Sequence, residues 1–124
     1  MIDFLVVCVA GGLGAAMRFV FDGAIRQRTS ASFPLATMII NVTGSLVLGL
    51  VTGLALSQLI PHAWQLVVGT GLMGGYTTFS TAGVETVRLL EERRWLATLI
   101  NSFGMLICCV LAAALGYLVG TGLG

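Results

Sequence analysis

Apolar and polar positions along this chain fall into blocks. Four apolar stretches, residues 4–25, 34–57, 64–90 and 95–119, are separated by the polar breaks RQRTSAS, SQLIPH and EERR. A helix needs about 20 apolar residues to cross a bilayer. The pattern therefore predicts an all-α membrane protein with four transmembrane helices in a single domain spanning residues 1–124. The connections are short, so neighbouring helices should run antiparallel. Pro34 and Pro61 lie at stretch edges, where proline suits a helix start. Trp64 and Trp95 each open a stretch, as interfacial aromatics do. No basic leader precedes the first apolar run; Arg18 and Arg26 follow it. That order predicts a retained first helix rather than a cleaved signal.

The informative residues in such stretches are the polar ones, because burying them in lipid is costly. Asn41 sits mid-stretch in PLATMIINVTGSLVLGL. Its amide either bonds a neighbouring helix or offers donors to a pore. Thr37 lies four residues earlier, on the same helix face, and extends a short polar stripe. Arg18, in GGLGAAMRFV, cannot shed its charge. It must reach an interface or face a wet vestibule that attracts anions. In the third stretch, GTGLMGGYTTFSTAGVE sets glycines against Tyr76, Thr77, Thr78, Ser80 and Thr81. Gly74–Gly75 followed by two threonines makes a poor helix. Irregular backbone at membrane depth survives only where protein buries it or a cavity wets it. The third helix is therefore predicted to break mid-membrane, exposing backbone groups as broken transporter helices do. The alternative is a continuous glycine-rich packing helix.

Composition narrows the class. The chain is 57% hydrophobic and 9% charged, against roughly 25% charged residues in a soluble domain. Its six basic residues are all arginine and form no dense patch, which argues against nucleic-acid binding. Cys8, Cys108 and Cys109 lie in apolar runs without metal-ligand spacing and read as packing residues. Gly12/Ala16, Gly49/Gly53 and Gly116/Gly120 follow the small-xxx-small spacing that lets helices approach closely, within or between subunits. Arg26, Arg28, Arg93 and Arg94 fall in the first and third connections, with Arg88 at a helix end. The positive-inside rule assigns those connections to the cytoplasm.

Three blocks carry a resemblance: GGLGAAMRF in the first stretch, TMIINVTGSLVLG in the second and GLMGGYTTFST in the third. By these motifs, in this order and over nearly the whole chain, the sequence resembles the Fluc (CrcB) family of small fluoride channels. The resemblance implies an antiparallel, dual-topology homodimer with two pores in the inner (plasma) membrane of a bacterium, exporting toxic fluoride. It also implies a structural Na+ on the two-fold axis, held by backbone carbonyls that map onto Gly74 and Thr77. Asn41 maps onto a pore-lining asparagine, Arg18 onto a vestibule arginine, and Phe79 onto the first of two pore phenylalanines. Thr37, Ser80 and Thr81 then stand as hydroxyl donors along the path. The chemistry is coherent. Fluoride is small and strongly hydrated, so a pore must replace its water with donors. Amide N–H, hydroxyl O–H and the positive edge of a phenyl ring all qualify, with pore width adding selectivity. Dual topology and the arginine bias make opposite demands on orientation.

One position departs from the family. The usual TTFSTF reads TTFSTA here, so Ala82 replaces the second ring. A natural variant, an engineered substitution, or a subunit that pairs with a different partner would each account for it. Other classes fit less well. A small four-helix multidrug exporter needs a membrane-embedded glutamate in its first helix, where this chain has only Asp3 and Asp22 near the ends. A non-transporting membrane partner would use every polar residue for packing. Ser45, Ser80 and His62 form no nucleophile arrangement, so an enzyme is not expected. Glu85, near the end of the third stretch, is either solvated or faces a vestibule.

Overall fold

The computed structural model describes residues 1–29 and 32–124, and the polar break RQRTSAS lies partly outside them at residues 30 and 31. Helix α1 spans Ile2–Arg28 and α2 spans Leu35–Leu56. Helix α3 covers residues 62–76 in three continuous pieces, of which Gln65–Met73 is wound as a π-helix. Helix α4 spans Phe79–Glu91. Helix α5 runs from Trp95 to Gly122, with a π-turn over Ile100–Gly104. Among the described residues α1, α2 and α5 are each long and apolar enough to cross a membrane. The third apolar stretch is split into α3 and α4, neither of which is continuous across it.

The break falls at Thr77 and Thr78, whose backbones are extended with ψ of 159° and 124°. Two glycines before the break and two β-branched residues within it weaken the helical alternative. The continuous glycine-rich helix is thereby excluded. Pro34 and Pro61 stand at the N-caps of α2 and α3. Two helix ends turn through left-handed residues that are not glycine: Gln58 at φ 57° and Arg93 at φ 56°. In each, the following N–H reaches back to the helix, Leu59 to the Leu54 carbonyl and Arg94 to that of Leu89, both at 3.0 Å. These are Schellman ends.

Small residues set how closely the helices pack. A Cβ added at Gly49 would overlap the carbonyl of Ala113, and one at Gly116 would overlap that of Leu46. The predicted pairs Gly49/Gly53 and Gly116/Gly120 thus face each other across α2 and α5. In α1 the packing face is different from the one the spacing suggests. Gly12 has open space around it and Ala16 is exposed, so among the described residues this pair packs against no helix of its own chain. The close contacts instead run through Gly14, against Leu72, and Gly75, against Gly11. The period is the same; the face is chosen by where α3 lies. Much of the remaining apolar surface stays outward, including Phe4, Phe19, Leu96 and Leu118, as expected of helices solvated by lipid rather than water.

Candidate functional site: the helix break and its polar surroundings

Asn41 projects from the middle of α2 onto the break. Its Nδ2 donates to the Thr78 carbonyl at 2.9 Å, and its Oδ1 accepts from the Thr78 N–H at 2.8 Å. One side-chain amide therefore satisfies both polar groups of a buried, non-helical residue. An unsatisfied backbone group at this depth costs several kcal/mol. The second N–H of Nδ2 points to the thioether of Met105 at 3.3 Å. Sulfur is a weak acceptor, so this donor is loosely committed.

The same break frees backbone carbonyls. In a continuous helix the N–H of residue i+4 bonds the carbonyl of residue i. The Thr78 N–H that would serve Gly74 goes to Asn41, and the Thr81 N–H that would serve Thr77 goes to Thr78 Oγ1 at 3.3 Å. Both Gly74 and Thr77 line an open groove of about 830 Å³. Hard-oxygen acceptors released from helical donors are the chemistry an alkali cation needs, so these two residues suit such an ion.

Asn41, Thr78, Phe79 and Ala82 border the same groove. Phe79 is 92% exposed, so its ring edge is free. Ala82 leaves the adjacent wall without a ring. Ser80 and Thr81 are not part of that lining. They form a hydroxyl cluster with Thr78 that caps α4, at 3.3 Å and 3.1 Å respectively. Asn101, on α5, also borders the groove, and sequence reasoning did not single it out. It is 1% exposed. Its Nδ2 donates to Thr86 Oγ1 at 2.8 Å and to the Ala82 carbonyl at 3.3 Å, while its Oδ1 is buried without a hydrogen-bond partner among the described residues. The signal was present: asparagine inside an apolar stretch is as unusual at 101 as at 41.

A second, smaller cavity of about 130 Å³ lies at the arginine-rich end. Arg26, Glu85, Arg88 and Arg94 line it, beside the start of α2. Thr37, one helical turn before Asn41, donates its hydroxyl to Glu85 Oε1 at 2.9 Å. Arg26 donates to that same oxygen at 2.8 Å and to Asp22 at 2.7 Å. Arg88 pairs with Glu92 at 3.1 Å, and Arg94 bonds the Ser32 carbonyl. Arg18, predicted as the vestibule residue, lines neither cavity and makes no ion pair among the described residues. The smaller cavity is lined by Arg26, Arg88 and Arg94. Among the described residues no group of three or more His, Cys, Asp or Glu is placed to hold a metal.

Comparison with known proteins identifies the family. Residues 5–117 match the family described as CrcB-like protein, Camphor Resistance (CrcB). A protein of Leifsonia xyli named fluoride-specific ion channel FluC 1 is 53% identical over 116 residues, covering 94% of this chain and 85% of the relative. Fluoride-specific ion channel FluC 2 of Cutibacterium acnes is 48% identical over 116 residues, covering 93% and 94%. Fluoride-specific ion channel FluC 2 of Mycolicibacterium paratuberculosis is 43% identical over 112 residues, covering 90% and 86%. With a family match over nearly its whole length and relatives this similar, the chain belongs to the CrcB family of multi-pass membrane proteins.

Proposed function

We propose that this protein is a fluoride channel of the bacterial plasma membrane, working as an antiparallel, dual-topology homodimer. The observation that carries the reading is the break at Thr77 and Thr78, held open by Asn41 on the wall of a groove. A packing helix would have no use for such a break. A pore does, because it puts donors and bare backbone groups where an ion passes. The relatives named as fluoride-specific channels supply the ion.

Three donor types line the route. The N–H of Asn41 that rests on the Met105 sulfur can turn to an anion at little cost, because it gives up only a weak bond. The exposed edge of Phe79 offers C–H groups with partial positive charge. Thr37 adds a hydroxyl one turn along α2. The open groove is the surface on which a second, inverted copy would close the pore. A Na+ bound between subunits would be held by the carbonyls of Gly74 and Thr77, which have lost their helical donors. That ion would neutralise buried carbonyl dipoles and join the two chains. Transport here converts no substrate chemically, so no catalytic residue is assigned.

Efflux from vesicles containing only this protein tests the reading. Fluoride leaves faster than from empty vesicles while chloride stays trapped. Vesicles that retain both ions would refute it.

A further inference from the structure

We propose that Glu85 is a tethered anion that occupies a fluoride station built by Thr37 and Arg26, and that it must leave for the ion to pass. This inference rests on the channel reading and adds a gate to it.

Two donors from two different helices converge on one oxygen. Thr37 Oγ1 on α2 and Arg26 Nη2 on α1 both donate to Glu85 Oε1, at 2.9 Å and 2.8 Å. A hydroxyl plus a guanidinium at these distances is what a small anion needs. Thr37 is 1% exposed, and its only proton is committed to the carboxylate. While Glu85 stays, that hydroxyl cannot serve fluoride. The station lies one turn, about 6 Å along α2, from Asn41 at the break. An ion moving between the arginine-lined cavity and Asn41 must compete for it.

The carboxylate is not locked in place. Its second oxygen, Oε2, is buried and has no hydrogen-bond partner among the described residues. Arg26 is shared with Asp22, so one positive charge serves two carboxylates. On the other side of the cavity the balance is reversed, because Arg88 and Arg94 share Glu92, with the Arg94 contact stretched to 3.7 Å. All of these groups except Asp22 line the same cavity. Glu85 thus has a negative excess where it sits and a positive excess across the same cavity. Swinging toward Arg88 and Arg94 frees Arg26 and Thr37 together.

The test compares fluoride efflux from vesicles carrying the wild-type chain, Glu85→Gln or Glu85→Ala, each checked for intact assembly by size exclusion. Removing the tethered competitor lowers the half-saturating fluoride concentration by roughly tenfold, the low-end worth of one charge-assisted hydrogen bond. The difference narrows at high fluoride, because ion and carboxylate compete for the same donors. A merely structural role would scale the flux by one factor at all concentrations. Glu85→Gln retains the side-chain volume and serves if Glu85→Ala does not assemble. In the Glu85→Gln background, Thr37→Val lowers flux if Thr37 then serves the ion. Conducting wild type with an unchanged half-saturating concentration in both Glu85 variants overturns the gate alone. A silent wild type with equally silent variants overturns the channel and the gate together.

Discussion

The side-chain amide of Asn41 pairs with both the N–H and the C=O of Thr78, at 2.8 Å and 2.9 Å, as a neighbouring β-strand would. This contact lets a transmembrane helix stop and restart without leaving orphaned backbone groups in lipid. It also fixes Phe79, the next residue, at the wall of the groove.

Asn41→Ala leaves both Thr78 groups buried and unpaired. Each costs about 1–3 kcal/mol, so the protein in detergent should melt well below wild type, and fluoride efflux should vanish. Asn41→Asp separates folding from conduction. It still accepts from the Thr78 N–H but loses both donors and places a negative charge on an anion path. Its thermal stability should fall less than that of Asn41→Ala while its efflux is equally absent. Melting curves and vesicle flux on both variants decide the matter. An Asn41→Asp channel that conducts normally would remove Asn41 from the path.

The glycine pairs divide cleanly by environment. Gly49→Ala drives a methyl into the Ala113 carbonyl and must push α2 away from α5. Overpacking of this kind costs about 1–3 kcal/mol. Gly12→Ala meets nothing within 4 Å among the described residues of its own chain. Its monomer should be unaffected, so any loss of stability confined to the dimer locates Gly12 at the subunit interface. Thermal unfolding with and without conditions that dissociate the dimer reads both effects.

Part of this was legible in the residues. Alternating apolar blocks and polar breaks announced the four spans, and the Gly-Gly and Thr-Thr pairs announced the break. Asn41 declared itself as a costly polar residue. Its partner did not, because Thr78 lies 37 positions away and only packing brings them together. The convergence of charges was hidden for the same kind of reason. Arg18 is the arginine deepest in an apolar run, yet the charges that converge are Arg26, Arg88 and Arg94, from three separate segments. Local pattern reports that a residue is expensive; it does not report which neighbours offset the expense. The π-wound segments of α3 and α5 likewise carry no simple sequence mark.

Ala82 lies beside Phe79 on the groove, where a ring would narrow the passage and supply a second positive edge. Its backbone carbonyl, which accepts from Thr86 and Asn101, is untouched by a change of side chain. Ala82→Phe should therefore fold and raise fluoride efflux several-fold, each aromatic edge contact being worth roughly 1 kcal/mol. Vesicle flux under identical protein loading measures it. Unchanged flux would assign the position no role in conduction.

Asn101 tests what a buried, unpaired acceptor costs this fold. Among the described residues its Oδ1 is a buried acceptor without a donor, a loss of about 1–3 kcal/mol, while its Nδ2 gains two ordinary bonds. These terms nearly cancel. Asn101→Leu keeps most of the volume, removes the orphan and forfeits the two bonds. Thr86 still donates to the Ala82 carbonyl at 2.8 Å and so loses only an incoming bond. For a chain on its own, the substitution should change stability by less than about 1 kcal/mol. Thermal unfolding of the wild type and Asn101→Leu measures it. A loss well beyond that range would mean that this oxygen is bonded in the folded protein and that the substitution breaks the bond.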